Sequence, residues 1–142
     1  MSLNMKLGNG LDPGVEVGPM FEKRALDHTI ELVEDAKRRG ATVLTGGKRC
    51  DRFDRGYFFE PTVLANLPHD AKLLSEEPFA PVMPLLDFNK IDEVIRAANN
   101  TRYGLAAYVF TNDLAVMWRM AEGLEAGVIG INDPVPATPQ CP

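Results

Sequence analysis

At 142 residues the chain has the length of one domain, and 45% hydrophobic with 25% charged residues is the balance of a packed globular protein, not of a disordered or collagen-like one. The 15 basic and 20 acidic residues leave a net charge of −5, which removes any electrostatic reason to approach nucleic acid or anionic lipid. Cys50 and Cys141 are too few and too far apart for a metal-ligand set or a dense disulfide framework.

No run of about 18 apolar residues is present, and the start lacks the charged-then-apolar order of a signal peptide, so a cytoplasmic protein away from membranes is expected. Residues 1–3, ahead of a second methionine at Met5, read as an expression remnant, which leaves 4–142 for the fold. One core is expected there, with no internal repeat and no second domain.

Gly8-Asn9-Gly10-Leu11-Asp12-Pro13-Gly14 is rich in turn formers and predicts a loop. Ala25, Thr29, Leu32, Val33 and Ala36 then recur at helical steps, and Gly40 stands where a left-handed cap belongs, so a helix is predicted over about 20–39. Lys37, Arg38 and Arg39 follow Glu34 and Asp35 at the spacing of helix-surface ion pairs and read as a solvated face. Ala41 to Leu44 predicts a short strand ended by Gly46-Gly47. Tyr57 to Leu64 predicts a second, which Pro61 assigns to a sheet edge.

From Val82 the pattern becomes regular. A buried strand, Val82 to Phe88, precedes a helix with Ile91, Val94, Ile95 and Ala98 on one face and Asn89 as N-cap. Ala106 to Phe110 predicts a strand, Leu114, Met117, Trp118 and Ala121 a helical stripe packed into a core, and Gly127 to Ile131 a last strand. This βαβαβ order predicts an α/β fold with crossover helices on a parallel sheet.

Ligands of such sheets gather beyond the C-terminal ends of strands, here after Phe88, Phe110 and Ile131, where Asn132-Asp133 is the most polar pair. The prolines at 78, 81 and 84 forbid helix in Ser75-Glu76-Glu77-Pro78-Phe79-Ala80-Pro81-Val82-Met83-Pro84 and bias it to an extended form. Alternation then sends Glu77 and Phe79 to one side and Glu76 to the other. A carboxylate can accept two hydrogen bonds from vicinal ribose hydroxyls, and an aromatic two residues away can pack on the ring that the ribose bears. The pair suits a nucleotide, although a solvated glutamate beside a core phenylalanine explains the same residues.

Glu77-Pro78-Phe79-Ala80-Pro81-Val82 resembles the Glu-x-Phe-Gly-Pro-Val motif of the aldehyde dehydrogenase superfamily. Four other segments resemble that family in its own order: Gly8 to Pro13 leading to Gly18-Pro19, Phe59-Glu60-Pro61-Thr62-Val63-Leu64, Asn99 to Ala107 followed by Val109-Phe110-Thr111, and Gly127 to Asn132. The resemblance implies part of a three-layer catalytic domain of an enzyme that oxidises an aldehyde to a carboxylic acid with NAD or NADP. In that family a cysteine thiolate attacks the aldehyde and a glutamate-activated water hydrolyses the thioester. By motif position Glu77 would hold the nicotinamide ribose, Phe79 would flank the nicotinamide, and Asn132 would lie at the substrate entrance. The resemblance further implies a homo-oligomer and a small aldehyde substrate, with succinate semialdehyde suggested by the Gly-Ile-Asn strand and the proline-rich loop after it.

The family's Gly-rich Rossmann segments, its catalytic cysteine, its general-base glutamate and its oxyanion-holding asparagine have no counterpart in this sequence. The chain alone is therefore expected to be inactive and to bind no cofactor tightly, and Ala80 replaces the motif glycine. A standalone nucleotide- or partner-binding module without catalysis is the alternative. Cys50, among Lys48, Arg49 and Arg52, and Cys141 do not match the nucleophile's setting, and Cys50 reads as an inert loop cysteine. His28 and His69 read as structural, and Gly8-x-Gly10-x-x-x-Gly14 has the wrong spacing for a dinucleotide fingerprint.

Overall fold

A computed structural model describes residues 5–135, and the chain divides after Asp87 into two compact units. This corrects the expectation of one core. The first unit buries two clusters of apolar side chains, one around Leu26, Leu32, Phe59 and Leu64 and a smaller one of Leu7, Cys50 and Phe58. In the second unit the buried hydrophobic residues are Val109 and Met120.

The first unit is organised by helix α1, Lys23–Arg38, whose inward face presents Leu26, Thr29, Leu32, Val33 and Ala36. Its end is set by backbone hydrogen bonds, with Gly40 N–H donating to the Lys37 carbonyl at 3.0 Å and Ala41 N–H to the Ala36 carbonyl at 3.0 Å. Those two bonds make a Schellman closure, which requires the left-handed φ of 101° at Gly40. Strand β1, Thr42–Thr45, pairs antiparallel with β2, Thr62–Ala65, and β2 pairs in parallel with β3, Val82–Pro84.

Strand β2 is therefore central and not at an edge. Pro61 precedes the strand's first residue, where no ladder donor is required of it, and Thr62 N–H donates to the Pro81 carbonyl at 2.8 Å. The turn that brings β1 toward β2 needs glycine, since a Cβ at Gly46 would lie 2.4 Å from the Pro61 carbonyl oxygen. Thr62 Oγ1 locks the same corner by accepting from Gly47 N–H at 2.7 Å and donating to the Glu60 carbonyl at 2.7 Å.

In the second unit helices α2, Ile91–Asn99, and α3, Leu114–Gly123, accompany strands β4, Ala106–Val109, and β5, Val128–Ile131, which pair in parallel. The elements follow in the expected βαβαβ order, but β3 pairs with β2 in the first unit's sheet and not with β4 or β5, and it ends at Pro84 with exposed apolar residues after it, contrary to a buried strand reaching Phe88. Helix α2 begins after Lys90 without a side-chain cap, so Asn89 is not its N-cap; Asp113 does cap α3, accepting from Ala115 and Val116 N–H. Met120 is the buried residue of α3, and Trp118 is 57% exposed, contrary to a core role for the Leu114–Trp118 stripe. Helical periodicity identifies an apolar face without stating what covers it.

Within this unit Asn99 joins the helix ends, donating from Nδ2 to the Gly123 carbonyl at 2.8 Å and accepting from Glu125 N–H at 2.9 Å. A Cβ at Gly123 would meet the Ile95 side chain at 2.9 Å, so glycine permits α2 and α3 to approach closely. Among the described residues no helix is long and apolar enough to cross a membrane.

Candidate functional site

Along the proline-containing segment leading into β3 exposure alternates: Glu77 and Phe79 are exposed while Glu76, Pro78 and Ala80 are partly covered. The inward members anchor it. Glu76 Oε2 lies 3.5 Å from His28 Nε2 on α1, and Val82 N–H donates to the Ala80 carbonyl at 2.8 Å. Phe79 is 79% exposed, and Glu77 is exposed as well. An acceptor carboxylate and an aromatic ring two residues apart are thus both open to solvent. Such a carboxylate and aromatic are the groups that a ribose and its attached ring would call for. The core-phenylalanine explanation of Phe79 does not hold in this chain.

Upstream of this pair the chain makes a polar ladder with α1. Glu31 Oε1 accepts from Lys72 Nζ at 2.9 Å, and Asp35 Oδ2 accepts from Lys72 N–H at 3.2 Å and from Arg39 Nε at 2.9 Å. The Lys72 hydrogen bond and charge lower the pKa of Glu31, and the same contact raises that of Lys72. For Asp35 burial pushes upward, yet the Arg39 hydrogen bond, the Lys72 backbone N–H and the Arg39 and Arg38 charges together bring its pKa below the ordinary value. The 3-10 turn Lys72–Leu74 sits on this ladder, and Glu76 N–H donates to the Lys72 carbonyl at 2.9 Å.

Asn132 belongs to the other unit, at the C-terminal end of β5, with φ of 52°. Its amide pairs with the backbone of one residue: Oδ1 accepts from Thr111 N–H at 2.9 Å and Nδ2 donates to the Thr111 carbonyl at 3.0 Å. Together with Asn132 N–H donating to the Val109 carbonyl at 2.8 Å, this extends the β4–β5 ladder past its last strand residues. The side chain thus fixes the turn that follows β5. Its pairing with Thr111 was not visible in the sequence, and the one local signal was the tolerance of asparagine for positive φ.

The remaining suspects are settled by their surroundings. Cys50 is buried against Leu7 and Phe58, and Arg52 Nε donates to its Sγ at 3.4 Å, so the thiol is shielded from any substrate. Cys141 lies outside the described residues, as do residues 1–3. In the Gly8–Gly14 loop Gly8 N–H donates to the Val17 carbonyl and Asp12 N–H to the Asn9 carbonyl. His28, read as structural, has the Glu76 partner that sequence spacing could not reveal, because 48 positions separate them.

Comparison with known proteins gives consistent results. The model of the family described as "Aldehyde dehydrogenase family" matches residues 2–142. The chain is 40% identical over 142 residues to the mitochondrial succinate-semialdehyde dehydrogenase of Rattus norvegicus, covering 100% of this chain and 27% of that protein. It is 43% identical over 128 residues to an NADP(+) succinate-semialdehyde dehydrogenase of Escherichia coli, covering 90% of this chain and 26% of that protein. Among solved structures, an NADP-dependent enzyme of E. coli superposes with a TM-score of 0.91 at 40% identity over 96% of this chain and 28% of that chain. An NAD+ complex of an aldehyde dehydrogenase from Bacillus cereus superposes with a TM-score of 0.86 at 39% identity over 93% and 26%. The chain spans about a quarter of the length of these relatives.

Proposed function

The chain belongs to the aldehyde dehydrogenase family, and from that membership we propose that it forms the cofactor-gripping and entrance-shaping part of the catalytic domain of an NAD(P)-dependent enzyme that oxidises a small aldehyde to a carboxylic acid. The exposed Glu77–Phe79 pair is the observation behind this reading. The Glu77 carboxylate accepts hydrogen bonds from the two hydroxyls of the nicotinamide ribose. Phe79 packs along the nicotinamide, limiting its tilt and excluding water from one side. NAD or NADP, when bound, supplies the hydride acceptor. Asn132, locked onto Thr111, holds the turn at the substrate entrance, and the succinate-semialdehyde dehydrogenases among the relatives favour a short semialdehyde as substrate. The parent enzyme is proposed to be a homo-oligomer.

Grip and entrance are not chemistry, and Cys50 is too well buried to attack an aldehyde. Purified chain mixed with succinate semialdehyde and NAD or NADP should give no nicotinamide reduction above background. A nucleotide titration followed by NMR should move the Glu77 and Phe79 amides, with weak affinity because one side of a cofactor site supplies few of its contacts. Turnover at ordinary enzymatic rates would refute the division of labour, and shifts confined to other residues would refute the assignment of Glu77 and Phe79.

A further inference from the structure

Three residues of α1, His28, Glu31 and Asp35, follow one another at steps of three and four and therefore share a helix face. Two of them bond to the segment that precedes the exposed pair, and the third stands near it. Asp35 holds Lys72 N–H, Glu31 holds Lys72 Nζ at 2.9 Å, and His28 Nε2 stands 3.5 Å from Glu76 Oε2. The first two rungs fix the turn, and the third stands beside the residue directly before Glu77. Glu77 precedes Pro78, which restricts its backbone, so where Glu76 is held bears on where the Glu77 side chain projects.

We propose that His28 is a positioning residue for the Glu77–Phe79 segment, acting through Glu76, and that protonation of His28 tightens this hold. The proposal rests on the nucleotide-binding reading of Glu77 and Phe79. An imidazolium N–H donating to the Glu76 carboxylate makes a charge-assisted hydrogen bond, whereas a neutral imidazole gives at most an ordinary one. The charged neighbours of the pair are Glu31 on the same helix and Lys72 on the facing turn, themselves joined as an ion pair. His28 and Glu76 are both partly open to solvent, with side chains 41% and 39% exposed, so the effect is modest and screened by salt.

The test is a pH titration of the full chain at low salt by NMR, following the His28 ring and the Glu77 and Phe79 amides together. The amides should titrate with the midpoint of the His28 ring. H28Q and E76Q should abolish that step, while H69Q should leave it, and far-UV circular dichroism of each variant verifies the fold. Amides that do not follow the His28 ring, or that keep the same step in H28Q, overturn the proposal. A second arm adds nicotinamide mononucleotide below the His28 midpoint. H28Q should bind it up to about fivefold more weakly than the wild type, the range open to a partly exposed pair. Loss of the amide step without any loss of mononucleotide affinity overturns the positioning role. If the amides follow His28 but the mononucleotide moves neither of them, the hold on the segment stands and the nucleotide reading fails.

Discussion

Leu32→Ala tests whether the first unit is held by the face of α1 that its sequence periodicity marked. Leu32 is 0% exposed and belongs to the cluster with Leu26, Phe59 and Leu64. The substitution removes three side-chain carbons, about 2.4 kcal/mol at roughly 0.8 kcal/mol per buried carbon, and the cavity left behind raises the cost to about 3–5 kcal/mol. A unit ending at Asp87 falls in the size range where each kcal/mol lowers Tm by about 4–8 °C. The fall should therefore exceed about 12 °C, with a drop in the urea midpoint of about 1–3 M. Circular dichroism of the helical signal is the assay, and Leu105→Ala is the control. Leu105 is 86% exposed and its truncation should change stability by less than about 0.5 kcal/mol. A loss below about 1 kcal/mol for Leu32→Ala, or equal losses for the two variants, would refute the assignment of the core to α1.

Asp35→Asn should lower the urea midpoint at neutral pH. Because the folded pKa of Asp35 is held below the ordinary value of 3.8, its contribution is complete above that pH and disappears as pH falls further, so wild type and variant should converge in acid. Gly46→Ala should be among the most damaging single changes, since it meets both the Pro61 carbonyl and a φ of 66°; failure to recover soluble protein, or a loss above about 3 kcal/mol in chemical denaturation, is expected. Asn132→Ala should raise the exchange rate of the Thr111 amide by about tenfold through loss of its acceptor, and leave the Leu26 amide unchanged. The exposed Leu105, Tyr108, Phe110 and Trp118 predict uptake of a hydrophobic dye and self-association in sedimentation. A monomer that takes up no dye would refute it.

What was legible in the sequence is what depends on near neighbours. The apolar period of α1 and the glycine after it are local quantities, so the helix and its cap followed directly. The rank of β2 within its sheet is not local. Pro61 suggested an edge only because the strand was taken to begin before it, and the pairing of β2 with β1 on one side and β3 on the other decides otherwise. Trp118 failed for a related reason. A stripe at helical spacing states that a face is apolar, while burial depends on what lies against it. The division after Asp87 likewise has no composition signal, since the chain there runs through Leu85, Leu86 and Phe88 without a glycine-rich or proline-rich linker.

The candidate site shows the same separation between what the backbone imposes and what distant residues add. Pro78 restricts the backbone of Glu77 before it, and Glu77 and Phe79 are both exposed. Proline bracing supplies direction but no fixed origin, for an extended strand can still rotate as a body about its axis. The origin comes from α1, through contacts that join residues 37 to 48 positions apart and that no short motif could have displayed. If such anchoring matters, substitutions on the polar face of α1 should disturb nucleotide contact without touching the nucleotide, and the effect should be graded: largest at Asp35, which positions the whole turn, and smallest at His28, which sets only the last side chain before the pair. A flat response along that face, read from the Phe79 amide in each variant, would mean that the prolines suffice.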